Sequence, residues 1–513
     1  MDENILQEDI GSVVADEFSP TFDCFRIKAD ANKYVYPGTL VATPIDKNHF
    51  LIGRIKSSLE VNPHESASRA KVREALDIEP DYPEEKLSTN IYRVYEADVI
   101  EEGILSKEGE AIKMEVSEPS DMPKAGARVF IPTEEVVANA MGFLREEDKA
   151  LVLGRTKITN GDEDQENPKN NVLLKPSLIQ RHVFVGGTTG SGKSYATGVI
   201  LEEVNKFKIP IIILDSQNEY IGLAEGLGGV VLKPGDDYKV RLSSLTEGEI
   251  LGLVPTLPEV GRNLLAFTFL QLKREIIRGE RGGFGLDDIL IEMSNNAPSL
   301  QVNTNSLQIA LQRTRSSLER HRFLGDETNW KDLLRDQPVV NIDCGDLDQH
   351  QLQLVIGATL RELQHLRKSV EIPPYVAVLD EAHLLVPEGE DSPCKQVIRE
   401  GVRIGRHYGI CMFLITQSPV DIDKKTIRQC NTRFIFALEP DQLESIKGVR
   451  ADATEDMLQR LPKMPVGTCI LSGTYETVKH AIPIKIRKRN IESGGKTPDI
   501  FTEMTEKWIN KKK

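Results

Sequence analysis

The run Gly187-Thr188-Thr189-Gly190-Ser191-Gly192-Lys193-Ser194 follows the pattern G-x-x-x-x-G-K-[ST]. Its residue types suit one task. The glycines let backbone amides wrap phosphate oxygens without Cβ clashes, Lys193 can reach the β- and γ-phosphates, and Ser194 offers a hydroxyl to Mg²⁺. Gly187 to Tyr195 is therefore the candidate nucleotide-contacting run, and Lys193 counts among the catalytic groups as well. Hydrolysis needs more than binding. The stretch Val376-Ala377-Val378-Leu379-Asp380-Glu381-Ala382-His383 ends an apolar run in two acids. Asp380 can direct Mg²⁺ opposite Ser194, and Glu381 can orient and deprotonate an attacking water. ATP and Mg²⁺ are the expected substrate and cofactor.

Other residues admit two readings. Asp215 and Glu219, in Leu214-Asp215-Ser216-Gln217-Asn218-Glu219-Tyr220, either face the nucleotide or cap a turn. Gln417 follows the apolar run Cys411 to Thr416, where it can sense the γ-phosphate or position water; a surface amide before Pro419 is the alternative. Arg399, Arg403 and Arg406 are spaced four and three apart, so they share one helical face. Such a face is either solvated or a source of the guanidinium that phosphoryl transfer takes from a neighbouring subunit. Arg181, just ahead of the P-loop strand, is a further candidate. The cluster Arg313, Arg315, Arg320 and Arg322 reads equally as a basic patch and as a solvated helix.

These side chains need elements to hold them. His182 to Val185 reads as a strand, and Ala196, Val199, Ile200, Val204 and Phe207 recur at helical spacing after the loop. A helix N-terminus there favours anions. Further strands are expected at Pro210–Asp215, Gly229–Leu232, Val339–Asp343, Tyr375–Asp380, Cys411–Thr416, Arg433–Leu438 and Thr468–Leu471. Continuous apolar runs such as Ile209 to Leu214 suit a sheet buried on both faces, and helices between the strands imply a doubly wound α/β core. Ser243 to Asp336 interrupts the alternation as a helical insertion. From about Ile10 to Ile131 short strands and turns predict a small β-barrel of OB or related type, with an inserted helix at Ser66–Leu76. Asn160 to Asn171 reads as a surface loop. The basic tail from Arg487 to Lys513, with Trp508, reads as a frayed end or an arm to a neighbour. The expected domains are a barrel over 1–150, an ATPase domain over 151–490 with its insertion at about 243–336, and an arm over 491–513.

Composition sets outer limits. A net charge of −15 over 513 residues means that any nucleic-acid contact must rest on local positive charge, such as a basic bore. The six cysteines are scattered without a C-x-x-C pair, which suits a reducing cytosol. No apolar run reaches membrane-spanning length, and the acidic opening MDENILQEDI does not read as a signal peptide. The expectation is a cytoplasmic protein without a membrane segment.

Taken together, these motifs resemble the HerA family of the wider FtsK/HerA group. The resemblance runs through Arg181-His182-Val183-Phe184-Val185-Gly186 and the P-loop, Asp380-Glu381-Ala382-His383, Gly405-Arg406-His407-Tyr408-Gly409, Thr416-Gln417-Ser418-Pro419 and Gln429-Cys430-Asn431-Thr432. It implies a RecA-like P-loop ATPase core behind a HAS-type barrel, and a hexameric ring. In that ring Arg406 would be the finger acting on a neighbour's nucleotide and Arg181 a second arginine near the phosphates, with Arg403 an alternative finger. It also implies double-stranded DNA as the track. A nuclease such as NurA, or another effector such as a sirtuin-like enzyme, would be the partner, in DNA end repair or anti-phage defence. One departure stands out: where the family has Asp-x-His-Gly-Glu-Tyr, this chain has Asp215-Ser216-Gln217-Asn218-Glu219-Tyr220, without the glycine. Two other classes fit the same motifs. One is an ATP-switched scaffold that assembles an effector without translocating; the other is a secretion-type motor moving protein.

Overall fold

Alternation of apolar and polar residues shapes the first part of the chain. In the strand Cys24–Asp30, Phe25, Ile27 and Ala29 are buried while Lys28 and Asp30 are exposed, the period of two that a half-buried strand needs. The computed structural model describes residues 5–17, 19–30, 32–61, 92–108, 111–156, 171–325, 328–448 and 452–491. The expected helix Ser66–Leu76, all but the last residue of the 160–171 loop, and the tail beyond 491 with Trp508 lie outside the described residues. The chain groups into two compact units. Met1–Pro176, Asp452–Arg460 and Thr468–Arg487 form one, and Ser177–Ala451, Leu461–Gly467 and Lys488–Lys513 the other.

In the first unit, β1 (Leu6–Val13), β2 (Cys24–Asp30), β3 (Leu40–Pro44), β4 (His49–Val61), β5 (Tyr92–Glu108), β6 (Ala111–Ser117) and β7 (Arg128–Pro132) pair in the order β2-β1-β7-β3-β4-β5-β6. β2 pairs again with β5, so the sheet closes into a barrel. Register shifts at Ile52/Gly53 and Ile55/Ser57 bend the long β4–β5 pair, as closure requires. Ile10, Phe25, Ile27, Val41, Tyr95 and Val129 fill the interior. The Tyr95 hydroxyl donates to the Lys33 carbonyl at 2.6 Å, so its polar end is satisfied. β8 (Leu151–Arg155) and β9 (Asn171–Leu174) pair with each other, and β8 pairs with a later strand, Ile482–Ile486, whose hairpin mate is Thr468–Gly473.

The second unit is built on a parallel sheet. Its strands are β10 (Val183–Gly186), β11 (Ile211–Asp215), β12 (Val230–Leu232), β13 (Val339–Asp343), β14 (Tyr375–Leu379), β15 (Ile410–Thr416) and β16 (Thr432–Ile435). They run in the order β12-β13-β11-β14-β15-β10-β16 with every one of these pairings parallel. β10, β11, β14 and β15 are buried at every position, which is why their sequences read as unbroken apolar runs. The helix Lys193–Lys206 follows β10, and Lys395–Tyr408 precedes β15. Between β12 and β13 the chain is helical, with Glu247–Leu253, Glu259–Ile277, Leu286–Asn296, Thr304–Leu318 and Trp330–Asp336, and no described strand. This is the α/β core with a helical insertion, preceded in the chain by a small barrel, that the sequence predicts. No described helix is long and apolar enough to cross a membrane.

Candidate active site

Four parallel strands end side by side, and each hands the chain into a loop that carries a candidate residue. β10 leads to Gly187, β15 to Gln417, β14 to Asp380 and Glu381, and β11 to the 215–220 loop. Ligands of open α/β sheets gather at such carboxyl ends.

The P-loop is shaped by two glycines. A Cβ on Gly187 would stand 2.6 Å from Phe436 Cβ and 2.9 Å from Ser191 Oγ. Gly192 has φ 107°, a left-handed value that favours glycine, with Gly467 packed 3.1 Å from where its Cβ would be. Gly192 caps the helix Lys193–Lys206, so the unpaired amides of its first turn open onto the loop. Around it, Thr188 N donates to the Ala437 carbonyl at 2.8 Å and Lys193 Nζ to the Thr188 carbonyl at 2.9 Å. Thr189 Oγ1 donates to Gln417 Oε1 at 2.6 Å, bringing Gln417 onto the loop. Tyr195 turns outward, its hydroxyl accepting from Arg489 N at 2.8 Å and its ring under the Arg489 guanidinium.

The acids converge on the same place. Ser194 Oγ donates to Glu219 Oε2, Ser216 Oγ to Asp380 Oδ2 at 3.1 Å, and Gln217 Nε2 to Glu381 Oε1 at 2.9 Å. Asp215 is wholly buried, and its oxygens accept from the amides of Gln217, Glu219 and Tyr220. That arrangement is the turn-capping reading of Asp215. Glu219 instead reaches the P-loop. Burial pushes the Asp380 carboxyl well above the usual carboxylate range, and Glu381, Asp215 and Glu219 add to the rise. Burial lowers the Lys193 ammonium, while Glu381, Glu219 and Asp380 pull it back up. Acids in this number outweigh the one buried ammonium, so the pocket is disposed to accept a divalent cation.

The residues present fit a triphosphate with Mg²⁺. Glu381 Oε2 is buried without a hydrogen bond, although His383 Nδ1 lies 3.2 Å away, and the Asp380 carboxylate acts electrostatically on Lys193, the neighbour of Ser194. Among the described residues no three His, Cys, Asp or Glu side chains could hold a metal by themselves. That suits an ion whose other oxygens come from phosphate and water. Glu381 itself has φ 45° and ψ 49°, a left-handed conformation uncommon outside glycine, just before the short helix Ala382–Leu385.

Even without a glycine, the 215–220 loop turns through a left-handed position. Asn218 has φ 60°, and asparagine is among the few residues with a side chain that enter the left-handed region readily. Gly345 makes room for it, since a Cβ there would lie 2.0 Å from Asn218 Oδ1.

The arginines stand elsewhere. Arg181 precedes β10, and Arg403 and Arg406 lie on the last turns of Lys395–Tyr408, just ahead of β15. They occupy the amino ends of strands whose carboxyl ends hold the P-loop and Gln417. β15 has seven residues, so roughly 20 Å of strand separates its two ends. Arg403 and Arg406 are exposed and have no ion-pair partner among the described residues. Arg399, on the same face, is bound to Asp423 through Nε at 3.1 Å and Nη2 at 2.7 Å. Within one chain, therefore, Glu381, Lys193, Ser194, Asp380 and Gln417 come together, and Arg181, Arg403 and Arg406 do not join them.

A family model described as the central domain of helicase HerA matches residues 163–363, and one described as the helicase HerA-like C-terminal domain matches residues 359–476. The chain belongs to the HerA family. As a HerA-family member it binds nucleotide and hydrolyses ATP. A probable helicase of Methanocaldococcus jannaschii is 23% identical over 426 residues, 79% of this chain and 78% of that protein. The DNA double-strand break repair helicase HerA of Pyrococcus furiosus is 20% identical over 66% of this chain and 76% of its own length. Among solved structures, VirB4 of Thermoanaerobacter pseudethanolicus has the same fold, with a TM-score of 0.50 at 17% identity over 67% of this chain and 98% of that one.

Sequence reasoning passed over four contributors to this HerA site: Ser216, Gln217, His383 and Thr416. Uncharged side chains give no pattern of their own. Their signal was position, each lying within four residues of the end of a buried strand.

Proposed function

We propose that this HerA-family ATPase is a cytoplasmic translocase or helicase. It would encircle double-stranded DNA as a homo-hexameric ring and work with a nuclease or other effector enzyme. Relatives named as DNA double-strand break repair helicases support the DNA substrate. The observation that carries the reading is the separation of Arg403 and Arg406 from their own P-loop by the length of β15. The exposed guanidiniums of Arg403 and Arg406 at one edge and the buried acid cluster at the other complete each other only between protomers.

In this reading Lys193 and the P-loop amides bind the β- and γ-phosphates. Ser194 and Asp380 would hold Mg²⁺, which when bound neutralises charge on the phosphate oxygens. Glu381 takes a proton from water as its oxygen bonds to the γ-phosphorus and the bond to ADP breaks. Gln417 steadies the γ-phosphate or the water, and Arg406 with Arg181 of the adjoining protomer meets the transferring phosphoryl group. The N-terminal barrel would serve as the HAS-type domain that docks the effector. Steady-state ATPase assays with and without linear duplex DNA test the motor. Turnover is expected to rise severalfold with duplex; a rate indifferent to DNA would favour an ATP-switched scaffold instead.

A further inference from the structure

Glu381 receives its hydrogen bond from one side chain among the described residues. Gln217 Nε2 donates to Oε1 at 2.9 Å, while Oε2, though buried, has no hydrogen bond. A carboxylate only accepts, so the amide nitrogen, not the amide oxygen, must face it. Gln217 belongs to the loop after β11, the strand beside β14 on one flank. On the other flank His383 Nδ1 lies 3.2 Å from Oε2 and 3.2 Å from Thr416 Oγ1, at the end of β15.

The loop carrying Gln217 is itself pinned. Its main chain is tied to the buried Asp215 carboxylate through the Gln217, Glu219 and Tyr220 amides, and Asn218 turns it through a left-handed position. Neighbours 216 and 217 then meet neighbours 380 and 381 in order: Ser216 on Asp380, Gln217 on Glu381. A main chain so tied aims an amide with little freedom.

We infer that Gln217 is a positioning residue for hydrolysis. By engaging Oε1 it sets the rotation of the Glu381 carboxylate and leaves Oε2 as the oxygen that accepts the proton of the attacking water. This rests on the reading of Glu381 as the water-activating base. Removing the amide lets the carboxylate turn; it does not remove any group that touches nucleotide. Turnover therefore falls while binding stays.

The test uses the full-length protein with Gln217→Ala, Gln217→His and Gln217→Glu, each in the wild-type and the Glu381→Gln background. It reads kcat, KM for ATP, and equilibrium binding of ATP·Mg²⁺. Q217A is expected to lower kcat about 10- to 100-fold with KM and Kd unchanged. Q217H, which keeps an N–H donor, should recover much of the loss, and Q217E, which replaces donor by charge, should not. In the E381Q background Q217A should leave the residual rate unaltered, because the carboxylate it serves is gone. A dead E381Q beside a Q217A enzyme with wild-type kcat overturns the role of Gln217 alone. Loss of binding and turnover together, equal in both backgrounds, overturns it too, by making the loop merely structural. An E381Q enzyme that turns over normally sinks the base assignment and this inference with it.

Discussion

The two edges of one parallel sheet differ in almost every respect that matters to chemistry. At the carboxyl edge the charges are acidic, buried and interlocked: Asp215, Asp380 and Glu381 are all nearly inaccessible, and Glu381 sits in a left-handed conformation. At the amino edge the charges are basic, exposed and, at Arg403 and Arg406, without ion-pair partners among the described residues. His182 is buried there, and burial pushes its imidazole down to about 4, with the Val402 carbonyl opposing. One edge is strained toward a ligand that must be cationic or carry a cation. The other is packed quietly and presents cations outward. On the proposed function, a chain built so holds two halves of a phosphoryl-transfer site that its own geometry keeps apart.

Replacing the exposed arginines tests that asymmetry most severely. Arg406→Ala is expected to reduce ATP turnover on the order of 10³-fold with nucleotide affinity changed little, as for other trans-acting guanidiniums. Arg403→Ala separates the alternative finger, and the larger loss in steady-state kcat identifies which side chain acts. Arg399→Ala should behave differently. It breaks a pair with the buried Asp423 and is expected to lower the melting temperature more than kcat.

His182 sharpens the contrast through acid. Its Nδ1 accepts from Met412 N at 3.1 Å, which requires the neutral ring. Its folded pKa is depressed, so the stability it lends is complete above its ordinary value of 6.5 and is lost as pH falls toward 4, when the unfolded chain takes up the proton first. The loss across that window is about 3 kcal/mol. His182→Asn, which keeps an acceptor, should flatten denaturant-measured stability between pH 6.5 and 4 relative to wild type.

Much of this was legible in the residues. The P-loop, the Asp380-Glu381 pair and the strand Val339–Asp343 are local signals, written in composition and spacing over a few positions. The arginine face was legible as helical spacing, but not the fate of Arg399, because Asp423 lies 24 positions away and only folding brings them together. For the same reason the pairing of β2 with β5, and of Leu151–Arg155 with Ile482–Ile486, left no trace in any window of sequence. The replaced glycine was legible as a departure; its remedy in Asn218 and Gly345 was not, since the two meet across different loops.

The smallest effect concerns that remedy. Asn218→Ala is expected to cost about 1 kcal/mol in chemical denaturation for placing an ordinary residue at φ 60°, and Asn218→Gly much less. An Asn218→Ala protein as stable as wild type would mean that the loop relaxes to another path.

The central claim is that acid edge and arginine edge complete each other across protomers, and subunit mixing reads it directly. Glu381→Gln and Arg406→Ala proteins, each inactive alone, are combined in equal amounts, exchanged, and assayed for ATP turnover. With random mixing about one interface in four joins an intact Glu381 to an intact Arg406, so about a quarter of wild-type turnover should return. No recovery at any mixing ratio, in rings shown by mass to contain both proteins, would contradict the account.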